Sequence, residues 1–137
     1  MGLMDCRLLD LQEFRDERGN LTVVEGNRHI PFDIQRVYYL YDVSDGAVRG
    51  VHAHRELQQI IIPLSGSFDV ILDDGQERKR FHLSRPNQGL YVCPMVWREI
   101  HNFSDHSVCM VLASRHYEPS DYIHEYDEFL SAVRGKR

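Results

Sequence analysis

Short runs of apolar and β-branched residues, separated by turn-forming residues, alternate along most of the chain. Runs of four to eight such residues with Gly, Asp, Asn or Pro between them are typical of β-strands joined by tight turns. Asp74-Gly75 lies between two of these runs and is a strong hairpin signal. The pattern predicts eight or nine strands, at residues 21–25, 36–43, 51–54, 58–64, 67–72, 78–83, 89–94, 97–103 and 107–114.

The segment 120–137 has a different periodicity. Its apolar residues recur at Tyr122, Tyr126, Phe129 and Val133, a spacing that places them on one face of a helix. Gly135 is suited to end that helix. We therefore predict one domain spanning residues 1–137: an all-β, cupin-type double-stranded jelly roll with a short C-terminal α-helix.

Composition and charge narrow the class of protein. The 137 residues are 42% hydrophobic and 27% charged, the profile of an ordinary globular domain. With 16 basic and 21 acidic residues the net charge is −5, which does not favour nucleic acid as a partner. The basic runs at 78–80 and 135–137 are interpreted as solvated surface.

Targeting signals and cysteine spacing bear on the compartment. Residues 1–11 lack the apolar run of a signal peptide, and the apolar stretch 60–64 is too short to cross a membrane. Cys6, Cys93 and Cys109 show no CxxC spacing and are interpreted as structural thiols. We expect a cytoplasmic protein with no membrane partner.

The segment RGVHAH contains the candidate chemistry. On a strand, His52 and His54 project from the same face and Ala53 from the other. By composition alone roughly half of one HxH is expected in such a chain, so the motif is weak by itself. The two histidines could bind a metal, transfer protons or be ordinary polar residues of a strand. We favour proton transfer.

The surrounding residues resemble the first cupin motif, G(X)5HXH(X)3,4E(X)6G, between Gly46 and Gly66. Its glutamate position falls on Gln59 or Gln58, and an amide is a poorer metal ligand than a carboxylate. The second cupin motif keeps Gly89 and Pro94 but has Val96 and Glu99 at its glycine and histidine positions. Although His52, His54 and Glu99 could still hold a metal, we predict no metal and no cofactor.

Longer segments carry a more specific resemblance. They are IPFDIQRVYYLYDV, RGVHAHRELQQIIIPLSGSFDVILDDG, GLYVCPMVWREIHNFS, CMVLAS and SDYIHEYDEF. Over about residues 11–130 the chain resembles the nucleotide-sugar 3,4-ketoisomerases, cupins related to the WxcM-like domains. The resemblance implies action on dTDP-4-keto-6-deoxyglucose in deoxysugar biosynthesis, without a metal. It also implies a homodimer with exchanged N-terminal strands.

The resemblance further implies that His52 and His54 are catalytic. Moving the ketone from C4 to C3 passes through an enediol and needs a base for the C3 proton. Imidazole suits this task because its ordinary pKa lies near neutral pH. We assign His52 as the carbon base and His54 as the shuttle between O3 and O4.

Three further residues are candidates for substrate binding, each with a plain structural role as the alternative. Arg49 could bind the diphosphate in a bidentate manner or lie on the surface. Tyr38 is expected to face inward, as a ligand or as core. Arg18 could reach the substrate if the N-terminal segment crosses to a partner, or could simply occupy its turn.

Four residues of the later strands complete the candidate set. Trp97 could stack on the base or sugar, although core packing is the alternative. Tyr91 and Glu99 lie on strands expected to line the barrel. His101 shares the face of Glu99 and is a third candidate base.

The chain departs from the family pattern at Val51, Arg55 and Arg98, where an aromatic residue, a lysine and a histidine are often found. These departures bear on substrate contacts and on the face at which C4 is reprotonated. Two rival functions remain: a metal-dependent cupin enzyme, and a non-catalytic nucleotide-sugar binding module.

Overall fold

The computed structural model describes residues 2–135 and consists almost entirely of antiparallel strands. In chain order the elements are β1 (Arg7–Asp10), β2 (Glu13–Asp16), β3 (Gly19–Thr22), β4 (Arg36–Leu40), β5 (Arg49–His54), β6 (Gln59–Ser65), β7 (Phe68–Asp73), β8 (Arg78–Leu83), β9 (Gln88–Val92), β10 (Trp97–His101), β11 (Val108–Ala113), β12 (Tyr122–Ile123) and helix α1 (Tyr126–Arg134).

Two five-stranded sheets form the domain and confirm the predicted all-β class. The first has the order β1-β9-β6-β11-β4 and the second the order β12-β5-β10-β7-β8. Alternation along each strand sends one set of side chains into the space between the sheets. On β7 these are Phe68, Val70 and Leu72, which have no exposed surface. This shared core holds the two sheets together.

Strand β8 has the bounds predicted for it, and its basic run is exposed as expected. Strands β1 and β2 were not predicted, because RLLD and EFRD mix charged and apolar residues without clean alternation. Strand β3 begins and ends earlier than the predicted strand 21–25. The hairpin β2–β3 pairs with neither sheet.

The predicted C-terminal helix is confirmed but begins later than its apolar spacing suggested. Tyr122 and Ile123 form strand β12, which pairs with His54 and Ala53 of β5. Helix α1 starts at Tyr126, and the amide of Gly135 donates to the carbonyl of Ser131 at its end. Residues 136 and 137, part of the predicted helix segment and of its basic end, lie outside the described residues.

Helix α1 covers the outer face of the second sheet. Phe129 is completely buried against Trp97, with ring centroids 5.9 Å apart. Tyr126 also packs on Trp97, and its hydroxyl donates to Asp73 at 2.8 Å. The helix therefore forms a second, smaller core on the side of the sheet away from the main one.

All three cysteines are free and buried. Sγ of Cys6 lies 3.6 Å from Sγ of Cys93, which joins the segment before β1 to the end of β9. Across the described part of the chain, no helix combines the length and apolar character needed to cross a membrane.

Candidate active site

An open cavity of about 450 Å³ lies between the two sheets, at the ends of β4 and β5. This volume is in the range of small-molecule sites in proteins. Most of its wall is apolar, and its polar and aromatic side chains come from β4, β5 and the segment around β12. They are Arg36, Tyr38, Arg49, His52, Tyr117 and Tyr122.

The two motif histidines occupy different depths of this site. His52 lies opposite Arg98 of β10 and forms part of the cavity wall. His54 has no exposed surface, and its ring meets that of His52 edge to face with centroids 4.8 Å apart. Only His52 is in direct contact with the cavity.

Both imidazoles are neutral at physiological pH. Burial lowers the pKa of His52 to about 3, with further lowering by the positive charge of Arg98. Burial and Arg98 likewise lower the pKa of His54. A neutral imidazole has a free nitrogen lone pair that can accept a proton, although the burial and the charge of Arg98 that lower these pKa values also make each ring a weaker base than free imidazole.

A carboxylate holds the buried histidine. Oδ2 of Asp121 lies 3.1 Å from Nδ1 of His54. The same carboxylate accepts the backbone N–H groups of Glu56 and Leu57, at 2.8 and 3.3 Å. No hydrogen-bond partner reaches Nε2 of His54 from the described residues. Sequence reasoning missed Asp121, because it stands in a stretch with helical spacing.

Arg98 is a buried cation beside the histidines, with 2% of its surface exposed. It donates to Oε1 of Gln59 and, at 3.0 Å, to the carbonyl of Val96. Gln59 in turn donates to the hydroxyl of Tyr38 at 3.0 Å. Gln59, one of the two residues that can stand at the glutamate position of the cupin motif, therefore joins Arg98 to a tyrosine of the cavity wall.

Arg36, which sequence reasoning also missed, is the second basic group at the cavity. Its guanidinium carbon lies 5.3 Å from the ring centre of Tyr38 and 5.7 Å from that of Tyr117. Nε and Nη2 are buried and have no hydrogen-bond partner among residues 2–135. Arg49 lies at the cavity rim and is exposed. Two arginines thus offer donors to an anionic group.

The odd-numbered residues of β10 are not at the cavity. Trp97 is buried under helix α1, and its Nε1 donates to Glu99 at 2.9 Å. Nε2 of His101 lies 2.9 Å from the other oxygen of Glu99. Trp97 has the core packing that was its alternative role. The barrel-lining positions expected for Glu99 and His101 are wrong, because strand alternation points these side chains away from His52.

This arrangement also separates Glu99 from the histidine pair with which it could have held a metal. Within residues 2–135, no three or more His, Cys, Asp or Glu side chains are grouped as a metal site would require.

Two other predicted contacts lie elsewhere. Tyr91 faces a second cavity, of about 430 Å³, on the outer side of the first sheet, and its hydroxyl donates to Gln58 at 2.7 Å. Arg18 is exposed at the β2–β3 turn and pairs with Asp16 at 2.7 Å. Within a single chain, neither residue lines the cavity of His52.

A third histidine stands near the pair and was not singled out from the sequence. His124 stacks on Tyr122 with centroids 5.3 Å apart, and its ring centre lies 6.2 Å from that of His52. It is exposed, beyond the short strand β12. Tyr117 and Tyr122 give the cavity an aromatic side, and His124 stacks on Tyr122 without lining the cavity itself.

Comparison with known proteins gives consistent matches over the whole fold. The family described as FdtA: WxcM-like, C-terminal matches residues 4–134. The TDP-4-oxo-6-deoxy-alpha-D-glucose-3,4-oxoisomerase of Aneurinibacillus thermoaerophilus is 46% identical over 126 residues, which are 92% of this chain and 91% of that protein.

Two solved structures are similar in both sequence and shape. The sugar 3,4-ketoisomerase QdtA of Thermoanaerobacterium thermosaccharolyticum, in complex with TDP, is 40% identical with a TM-score of 0.95, covering 98% of each chain. The TDP-quinovose 3,4-ketoisomerase WlaRB of Campylobacter jejuni is 46% identical with a TM-score of 0.88, covering 92% of this chain and 97% of that one.

Proposed function

This chain belongs to the FdtA, WxcM-like C-terminal family, and we propose that it is a sugar-nucleotide 3,4-ketoisomerase acting on dTDP-4-keto-6-deoxyglucose in deoxysugar biosynthesis. The product is a dTDP-3-keto-6-deoxyhexose. The structural observation that carries the proposal is His52, a neutral imidazole in the wall of an apolar cavity with arginines beside it.

The reaction moves two protons and no other atoms. His54 takes the proton from O3 and His52 takes the proton from C3; the electron pair of the C3–H bond forms C3=C4, and O4 receives the O3 proton from His54 to give an enediolate. The C3 carbonyl then forms as C4 receives the proton held by His52. Acid–base groups in the protein can provide each transfer.

His54 is the proposed shuttle between O3 and O4. Because it has no exposed surface in this structure, that role requires the ring of His52 or Tyr122 to move aside when the sugar binds. Arg98 supports the chemistry from beneath, since its fixed positive charge lowers the energy of an enediolate.

Arg36 and Arg49 are the proposed partners of the diphosphate. Arg36 has unused donors in a buried position, where hydrogen bonds to a charged group are worth about 1.5–3 kcal/mol.

We therefore expect Arg36→Met to lower kcat/KM by roughly 10- to 100-fold, mainly by raising KM. Steady-state kinetics would measure this change, with the exposed Arg85→Met as the matched control. An unchanged KM would remove Arg36 from the binding site.

We also propose a homodimer with exchanged N-terminal strands, and the exposed apolar face of the β2–β3 hairpin supports contact with a second copy. Phe14 and Leu21 are paired across it, and 51% and 59% of their surfaces are exposed. Its polar residues Glu13, Asn20 and Thr22 face the groove against the first sheet. A two-stranded hairpin is marginally stable by itself, so a hairpin with an exposed apolar face is expected to pack that face against another protein surface.

A second copy of the chain is the proposed cover. The same arrangement would carry Arg18, at the tip of the hairpin, toward the partner's cavity, where its guanidinium could contact the substrate. Arg18 remains a predicted substrate contact on this basis. We also propose a cytoplasmic location, where the three buried thiols stay reduced.

The test of the function is proton NMR of dTDP-4-keto-6-deoxyglucose with the protein in deuterated water, with and without a chelator. We expect conversion to a 3-keto sugar, with deuterium at C4, unaffected by the chelator. Turnover abolished by the chelator would favour the metal-dependent alternative. Binding of the sugar nucleotide without turnover would favour the binding module.

A further inference from the structure

Asp121 contacts His54, and a short strand that no sequence motif marks brings it there. It ends the 3-10 turn Pro119–Asp121, immediately before β12. The pairing of Tyr122 with His54 places the carboxylate beside the imidazole. The contact is therefore fixed by backbone register rather than by a flexible loop.

The hydrogen bonds determine which nitrogen of His54 carries the proton. An ionised carboxylate only accepts hydrogen bonds, and the two amides of Glu56 and Leu57 already donate to it. Nδ1 of His54, 3.1 Å from Oδ2, must therefore carry a hydrogen to contribute a bond. In a neutral ring this leaves Nε2 unprotonated, and Nε2 is the buried atom without a partner.

We propose that Asp121 is a positioning residue that holds His54 in the Nδ1–H tautomer, so that Nε2 is presented as a proton acceptor. This inference rests on the proposed function for its catalytic meaning. A shuttle must be able to receive a proton before it returns one, and the other tautomer would offer a donor where an acceptor is needed. Asp121 itself does not touch the substrate.

Asp121 also has a structural role, because it anchors the turn after β5 through the amides of residues 56 and 57. A loss of activity alone would not separate the two roles. The separating measurement is the tautomer itself, which nitrogen-15 NMR of labelled histidine reports directly. The His54 signal is assigned by its absence in His54→Asn.

In the wild-type protein we expect the Nδ1–H tautomer for His54, with a nuclear Overhauser effect between that proton and the amide proton of Leu57. In Asp121→Ala we expect the signal to move toward the Nε2–H form that free histidine favours. We also expect kcat to fall by roughly 10²-fold or more while KM changes little, since a positioned proton-transfer group contributes on that order.

Asp73→Ala is the matched control. Asp73 is also a buried carboxylate that accepts a backbone amide, from Gly75, but its side-chain partners are Arg78 and Tyr126. This variant should lose stability and keep both the His54 tautomer and kcat.

An Nε2–H form or an imidazolium in the wild-type protein would overturn the proposal, whether or not Asp121→Ala folds. So would an Asp121→Ala variant that loses activity with its tautomer unchanged. If the wild-type protein has the expected tautomer but converts no sugar nucleotide, the proposed function fails while the assignment of the Asp121–His54 pair stands.

Discussion

At the scale of single residues, His52 and His54 share a motif but not an environment. His52 meets the cavity, whereas His54 is sealed behind it and held by Asp121. Burial and hydrogen-bond partners thus distinguish the two imidazoles, and neither can be inferred from the HAH motif. This difference in position supports the proposed division of labour between a carbon base and a shuttle.

The first prediction concerns the proposed carbon base. His52→Asn should remove the C3 base while preserving the volume and polarity of the cavity wall. We expect kcat to fall by roughly 10²- to 10⁴-fold, the usual contribution of a general base, with KM little changed. Deuterium incorporation followed by NMR would measure this loss. The exposed His106→Asn, at a positive-φ position that asparagine tolerates, is the control.

The second prediction is a pH dependence of stability. Folding lowers the pKa of His54 below its ordinary value of 6.5. Below pH 6.5 the unfolded chain therefore binds a proton at this residue that the folded protein does not bind. The free energy of unfolding is therefore not reduced by His54 above pH 6.5, and it decreases as the pH falls below that value. The slope for this fully buried group is up to about 1.4 kcal/mol per pH unit.

Urea unfolding between about pH 7.5 and pH 5.5 would measure this loss, which His54→Asn should reduce and His106→Asn should leave unchanged. A free energy of unfolding that stays constant over this interval would contradict the assignment of a buried neutral imidazole to His54.

At this scale, the sequence predicted those site residues that are placed by a local pattern and missed those that are placed by long-range contacts. Alternation was enough to place His52 and His54 on one face and Tyr38 at the cavity, and Arg49 was a candidate because it directly precedes the histidine strand. It could not show which face of β10 met the cavity, so Glu99 and His101 were expected on the wrong side of that sheet, and the choice between substrate stacking and core packing stayed open for Trp97. Asp121 and Arg36 act through long-range pairing, which leaves no local pattern.

At the scale of elements, the helical spacing of apolar residues near the C-terminus predicted a helix that begins too early. Residues 120–125 share apolar spacing with the helix, but edge pairing with β5 won over helical propensity. The strands with strong alternation or long apolar runs were predicted well. Those of the N-terminal segment were not, because their pairing partners and not their composition make them strands.

The third prediction concerns the docking of helix α1. Phe129 is completely buried against Trp97, so Phe129→Ala should leave a cavity beneath the helix. We expect the free energy of unfolding to fall by about 3–5 kcal/mol, as is usual for such truncations. Chemical denaturation would measure the change, with the exposed Asp127→Ala as the control. A loss below about 1 kcal/mol would mean that the helix is not part of the cooperative unit.

At the scale of the whole molecule, local and overall charge have opposite signs. The chain carries a net charge of −5, yet the cavity region gathers Arg36, Arg49 and Arg98. A concave site with concentrated positive charge attracts an anionic ligand even on an acidic protein. The bulk composition, which predicts no nucleic-acid partner, is therefore no argument against a nucleoside diphosphate sugar.

The fourth prediction concerns assembly. If a second copy covers the apolar face of the β2–β3 hairpin, Phe14→Asp with Leu21→Asp should bury charge in that interface and yield monomers. Light scattering coupled to size-exclusion chromatography would measure the mass, and Lys79→Asp on the far sheet is the control. A wild-type protein that is monomeric at micromolar concentration would contradict the proposed dimer.

The buried charge of Arg98 has a consequence for which sugars can remain in the site. Its nearest hydrogen-bond partners are a neutral amide and a backbone carbonyl, so its charge is not cancelled locally. A keto sugar brings no charge to this region, whereas a sugar bearing an ammonium group on its ring brings a like charge. We therefore expect a sugar nucleotide with an ammonium group on its ring to compete poorly for this site.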